Sequence, residues 1–157
     1  MRFLDTNVLV YAASSQDERK RQIAIRLLRH ALEENHDGVI SLQILQEFTN
    51  VMLKRSLATD EQIERYYSYF YRLVGTEVTS DMLREAIKIR REYGIQYHDA
   101  VMIAAAKKLG CHEIVTEDLN DGQIYCGMVA VNPFKAVARS LVQRESAVAM
   151  SANPPLT

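Results

Sequence analysis

The sequence predicts an α/β fold, a parallel β-sheet flanked by helices. Two observations carry that expectation. Short apolar runs at 2–4, 39–41, 113–115 and 128–131 read as strands, and the stretches between them follow helical rather than alternating periodicity. Strands separated by helices form βαβ units, whose strands run parallel and are covered by the crossovers. A chain of 157 residues is about one domain, and a domain of that size hides roughly 70% of its unfolded-chain surface.

The elements follow in order. Arg2-Phe3-Leu4 is a short buried strand closed by the polar Asp5-Thr6-Asn7. Residues 18–34 place Ile23, Leu27, Leu28 and Ala31 on one helical face, with Arg19, Lys20, Arg26 and Arg29 elsewhere. His36-Asp37-Gly38 is a turn, Val39-Ile40-Ser41 a second strand, and residues 42–55 a helix through Leu45, Phe48 and Met52. Thr59 or Asp60 caps a third helix whose inner stripe is Ile63, Tyr67, Phe70 and Val74. Asp81 opens a fourth, through Leu83, Ile87 and Arg90, which Gly94 ends. Residues 99–109 are apolar nearly all round and read as a buried helix stopped by Gly110. Glu113-Ile114-Val115 and Met128–Val131 are the last strands. Domain limits are expected at 1–134, with 135–157 a C-terminal extension: an amphipathic helix over 135–150 and then a disordered tail.

Composition excludes several classes. With 48% hydrophobic and 25% charged residues, six Gly and three Pro, the chain is neither disordered nor collagenous. No apolar run approaches the roughly 18 residues of a membrane span, and the opening apolar stretch meets Asp5 too soon for a signal peptide. Cys111 and Cys126 form no CxxC, so neither a disulfide framework nor a zinc site is expected, and the setting reads as reduced and cytoplasmic. No GxxxxGK[ST] or GxGxxG loop is present for a nucleotide. A net charge of −1 argues against a nucleic-acid partner until four acids are set aside for one site; sixteen acids then face nineteen Lys and Arg, a balance of +3.

Four acids stand where apolar residues would be more natural. Asp5 ends a hydrophobic strand, and Asp118 follows Ile114-Val115. Asp99 enters the most apolar helix, and Glu47 lies at the margin of the stripe Ile44, Phe48, Val51 and Met52. Each has a structural reading too: turn former, cap, or solvated helix margin. Sites in parallel sheets form beyond the carboxyl ends of strands, where Asp5 and Asp118 fall. Carboxylates gathered in a partly desolvated cleft repel one another and call for a cation. All-oxygen ligands favour Mg²⁺ or Mn²⁺ over zinc, and such ions suit phosphodiester hydrolysis.

These residues also lie in recognisable segments. Phe3-Leu4-Asp5-Thr6-Asn7-Val8-Leu9-Val10-Tyr11 resembles the opening motif of PIN domains, in particular VapC-like toxins of bacterial toxin–antitoxin systems. Ser41–Phe48 resembles the second motif with its acid at Glu47, and Tyr97–Ala106 the third with its acid at Asp99. Val115–Gln123, leading to Asn132-Pro133-Phe134, resembles the last. The likeness spans about 1–134. It implies an α/β/α sandwich with a central parallel sheet, a Mg²⁺- or Mn²⁺-dependent endoribonuclease acting on RNA, a homodimer, and inhibition by a cognate antitoxin. By position, Asp5 and Asp99 would be the principal metal ligands, and Glu47 a further ligand or the group that activates water. Asp118 would complete the cluster, with Glu117 and Asp121 as alternatives. Thr6, Asn7 and Thr116 would support the site.

His98 adjoins Asp99, and a packing or capping role is expected for it rather than acid–base work. In Tyr66-Tyr67-Ser68-Tyr69-Phe70-Tyr71, Tyr66, Tyr69 and Tyr71 cannot all face inward, which suggests a protein interface. Arg19, Lys20, Arg21, Arg84, Lys88, Arg90, Arg91, Lys107 and Lys108 are spread over several helices, some of them available to an RNA backbone. Three rival readings stand beside the nuclease. A phosphotransfer enzyme with Asp5 as nucleophile lacks the second acid of D-x-D, replaced by Asn7. The others are a degenerate PIN domain acting only by binding, and a DNA-directed nuclease with the same acids.

Overall fold

The computed structural model describes residues 1–34 and 37–135. The amphipathic helix and tail expected over 135–157 therefore fall outside the described residues, save Lys135, as does part of the expected turn at 36–38. Strand β1 (Arg2–Leu4) leads into helix α1 (Thr6–Ala13), then α2 (Glu18–Arg29), continued by a π-helical turn His30–Glu34. Strand β2 (Gly38–Ser41) feeds α3 (Leu42–Lys54), followed by α4 (Asp60–Phe70), a 3₁₀ turn Tyr71–Leu73 and β3 (Val74–Thr76). Helices α5 (Ser80–Tyr93) and α6 (Tyr97–Lys108) precede β4 (Glu113–Val115), β5 (Ile124–Tyr125) and β6 (Met128–Val131).

The strands form one sheet in the order β3-β2-β1-β4-β6-β5, parallel throughout except for the β5–β6 hairpin at one edge. This is the predicted α/β fold, with helices flanking a mostly parallel sheet. Central strands covered by helices need apolar side chains on both faces. Phe3 and Leu4 of β1, Val39 and Ile40 of β2, and Ile114 and Val115 of β4 are all buried. The switch from β1 to β4 on one side and to β2 on the other puts a crevice at the carboxyl ends of these three strands.

Several expectations are corrected. Helix α1 begins at Thr6, directly after Asp5, in a stretch whose polar Asp5-Thr6-Asn7 reads as a strand stop; the same residues are a helix start, with Asp5 as N-cap. Edge strands β3 and β5 carry too few residues for a periodicity signal. Val74 lies in β3 and not on the helix stripe. On α4 it is Tyr66 that packs inward, against Phe48 and stacked on Phe70 at 5.8 Å, whereas Tyr67 is exposed. On α5 the buried face is Met82, Ala86 and Ile89, which leaves Leu83 and Ile87 outside. Thr79, not Asp81, caps that helix through a bond from the Met82 amide. Thr59 caps α4 in a reciprocal box with Gln62.

Two glycines are required by geometry. Gly94 closes α5 at φ 66°, a left-handed conformation that costs other residues about 1–2 kcal/mol. A Cβ on Gly75 would meet Val39 Cγ2 at 2.4 Å, so the edge strand approaches β2 only because no side chain is there.

Candidate active site

Asp5 is the innermost of the four acids, 6% exposed, at the junction of β1 and α1. Its extended backbone ends the strand and its carboxylate caps the helix, accepting from the Thr6 amide at 2.6 Å. Asn7 Nδ2 donates to it at 2.9 Å and Thr116 Oγ1 at 2.6 Å. Burial nonetheless pushes its pKa up to about 7, and the neighbouring charges of Asp118 and Glu47 push the same way, against the bonds from Thr116 and Thr6.

The other acids come from three further segments. Glu47, half-buried on α3, accepts from Thr6 Oγ1 at 2.9 Å and from Gln43 Nε2 at 2.6 Å. The exposed His98 ring stands 3.6 Å from its second oxygen. Asp99 sits in the first turn of α6, where Gln96 holds the cap position, so the capping expectation for Asp99 does not hold. It is half-buried, and its carboxyl is raised by that burial and by the charges of Asp118 and Glu47, with His98 opposing. Asp118 follows β4; its amide donates to Thr116 Oγ1 at 3.0 Å and its carboxylate accepts from Asn7 Nδ2 at 3.3 Å. Thr116 Oγ1 thus links Asp5 to the Asp118 loop, and Asn7 Nδ2 reaches both acids.

The two alternative acids are engaged elsewhere. Glu117 binds Lys20 Nζ at 2.6 Å and the Tyr11 hydroxyl, while Lys20 lies 4.4 Å from the centre of the Tyr11 ring. Burial pulls the Lys20 ammonium down, but its bonds to Glu117 and Tyr11 outweigh this and leave it raised. Asp121 Oδ1 accepts from the Asn132 amide at 2.9 Å, tying the loop to the end of β6. Of the three, Asp118 alone shares bonds and charge with Asp5.

Sequence reasoning missed Gln43, although its i,i+4 spacing from Glu47 on one helix is a readable signal. It also missed the Tyr11–Lys20–Glu117 brace, whose partners are 97 residues apart and leave no local pattern. Of the basic residues spread over the helices, Arg21 pairs with Glu18, and Lys88 and Lys107 with Glu85. Those charges are partly spent before any phosphate arrives.

The donor set is tested by what it leaves unsatisfied. Among the described residues, the buried side-chain polar atoms without a hydrogen-bond partner are Asn7 Oδ1, Ser41 Oγ and Gln43 Oε1. All three lie in the two acid-bearing segments that open α1 and α3. No three His, Cys, Asp or Glu side chains among the described residues stand close enough to make a ready cage for one ion. Mg²⁺ commonly takes only one or two carboxylates and keeps several waters. Mutually repelling carboxylates beside vacant acceptors therefore fit a partly hydrated hard cation, and do not fit an all-protein cage.

Carboxylates converging at the strand-order switch of a mostly parallel sheet define a class of acid-lined α/β proteins. Within that class the chain belongs to the PIN domain family, whose profile matches residues 2–121. Three solved structures share the fold. The toxin VapC20 of Mycobacterium tuberculosis, described as cleaving the sarcin–ricin loop, superposes with TM-score 0.59 at 18% identity, over 73% of this chain and 87% of that one. A toxin–antitoxin complex from Klebsiella pneumoniae gives 0.60 at 22%, over 85% and 98%. VapBC2 of Rickettsia felis, bound to a DNA fragment from its promoter, gives 0.60 at 17%, over 83% and 97%. No curated protein matches the sequence at a significant level. No helix among the described residues is long and apolar enough to cross a membrane.

Proposed function

We propose that this chain is a metal-dependent endoribonuclease, the toxin of a toxin–antitoxin module. The observation that carries the reading is Asp5: a deeply buried carboxylate, bonded by Thr6, Asn7 and Thr116, and raised to about 7 with Asp118 and Glu47 beside it. Such a group is costly to keep unless a cation replaces the proton. Membership of the PIN family and the VapC toxins among its structural neighbours support the same reading.

Asp5 and Asp99 are the residues proposed to hold Mg²⁺ or Mn²⁺ directly, with Asp118 beside them as the acid that would bind the ion's water. The ion would supply an activated water and offset charge on the phosphoryl oxygens. The chain's own residues do the rest. Thr116 holds the Asp5 and Asp118 sides of the cleft at a fixed separation. Thr6 and Gln43 bind Glu47 from two sides, so its carboxylate is oriented to accept a proton from an incoming water. Asn7 orients Asp5 and Asp118 together.

An antitoxin partner is part of the proposal, supported by the toxin–antitoxin complexes among the neighbours. So is a homodimer, for which the exposed Tyr67, Tyr69, Tyr71 and Ile87 supply apolar surface. The test is cleavage of total bacterial RNA by the purified protein with Mg²⁺ or Mn²⁺, with EDTA, and with Asp5→Asn. Discrete fragments that need both metal and Asp5 are expected. A folded, inhibitor-free protein that cuts nothing would return the chain to the binding-module reading, and equal cutting of DNA to the DNA-directed one.

A further inference from the structure

Beside the acids lies an open groove of about 640 Å³ between α3 and the start of α6, and it has a composition unlike the acid site. Glu47 and His98 form its boundary with the cluster. Its walls are Leu42, Val78, Leu83, Val101 and the ring of Tyr97. Its polar groups are the amides of Gln43, Gln46 and Asn50 and the carboxylate of Glu77, the Gln43 amide already donating to Glu47. Gln46 and Asn50 stand one turn apart on the exposed side of α3, and their side-chain amides make no hydrogen bond within the described residues. No Lys or Arg lines the groove, so its chemistry suits an uncharged, flat, polar-edged group and not a phosphate.

We propose that this groove is a nucleobase subsite that takes an unstacked base carrying an exocyclic amino group (adenine, cytosine or guanine) in preference to uracil. Its position next to the cleaved bond rests on the nuclease reading above. The aromatic and apolar walls supply a stacking surface of the kind single-stranded RNA readers use. Side-chain amides present a donor and an acceptor side by side, the pattern that pairs with an amino group flanked by a ring nitrogen. The Glu77 carboxylate only accepts, so it rewards an N–H and repels a carbonyl edge. Uracil has a single N–H, which can satisfy an amide oxygen or the Glu77 carboxylate but not both, whereas an amino group brings two N–H donors; with uracil one acceptor stays unmatched. A phosphate at the acid cluster would have a neighbouring nucleotide within reach of the groove, because Glu47 borders both.

The test has two arms that fail separately. In the first, ¹⁵N-labelled wild-type protein is titrated with adenosine, cytidine and uridine in EDTA. The side-chain amide signals of Gln46 and Asn50 are expected to move, with adenosine and cytidine binding about fivefold tighter than uridine, the value of one net hydrogen bond. Q46A/N50A, both on an exposed helix face, is expected to bind all three alike. Equal binding of uridine, or movement confined to another surface, overturns the proposal. So does a shift of the groove signals on dilution with no response to nucleosides, which gives the groove to a second copy of the chain. In the second arm, cut sites in a randomised single-stranded RNA are sequenced, and uridine is expected to be depleted beside the cut by wild type but not by Q46A/N50A. Active enzyme with unbiased cuts overturns the base subsite and spares the nuclease. Discriminating nucleoside binding by a protein that cuts nothing does the reverse.

Discussion

Asp5 shows how one side chain serves two demands that pull apart. As an N-cap it accepts the Thr6 amide, and across the sheet it accepts the Thr116 hydroxyl, both of which favour the charged form; burial beside Asp118 and Glu47 opposes that charge. The sign of the pH effect follows. A carboxyl raised from 3.8 to about 7 costs the fold nothing at low pH, then progressively more as pH climbs through that window, with no further change above it. Asp5→Asn is therefore expected to stabilise the metal-free protein at neutral pH, by up to about 4 kcal/mol. That advantage over wild type should shrink as pH falls toward the ordinary carboxylate range, as thermal melts across pH would show. Thr116→Val removes the hydroxyl that donates to Asp5 and receives the Asp118 amide. Cleavage should drop roughly 10- to 100-fold, the value of a charged hydrogen bond, with little change in RNA affinity. Asp118→Asn should abolish cleavage, while Asp121→Ala should keep it and lose stability instead, since Asp121 accepts from the Asn132 amide and alanine cannot. An inactive, stable Asp121→Ala protein would reverse that assignment.

At the scale of elements, the limits of sequence reading have physical causes. Strands β1, β2, β4 and β6 and the long helices were legible because each presents a run of apolar residues with one period. Helix α1 was not, because Asp5-Thr6-Asn7 is the same polar signal whether a chain turns or begins a helix. Edge strands β3 and β5, of three and two residues, are set by pairing to their neighbours and have no pattern of their own. In α4 the tyrosine run makes several stripes equally apolar, and packing against Phe48 selects Tyr66 over Tyr67. Tyr66→Ala, at a half-buried ring stacked on Phe70, should cost about 2 kcal/mol in urea unfolding, short of the figure for a fully buried ring. Tyr69→Ala, on the exposed side, should stay within about 0.5 kcal/mol. The four acids were legible as residues out of place, and their gathering into one cluster through the family motifs; the contacts that link them were not, since those need the β1–β4 adjacency that brings Asp5 to Thr116 across 111 residues.

Over the whole molecule, charge is arranged by compartment. The acids gather at the carboxyl edge of the sheet, while Lys20, Arg21, Lys88 and Lys107 are held by acids outside the cluster. The net charge of −1 thus averages an electronegative crevice with a mildly basic remainder. If the crevice is a cation site, its repulsion is a store of stability released on binding. The most direct measurement is a Mn²⁺ titration followed by electron paramagnetic resonance on wild type, Asp5→Asn, Asp99→Asn and Glu117→Gln. Wild type and Glu117→Gln are expected to bind alike, and the Asp5 and Asp99 variants at least about tenfold more weakly, a loss typical of disturbed metal sites. Undiminished Mn²⁺ binding by Asp5→Asn would contradict the account at its centre.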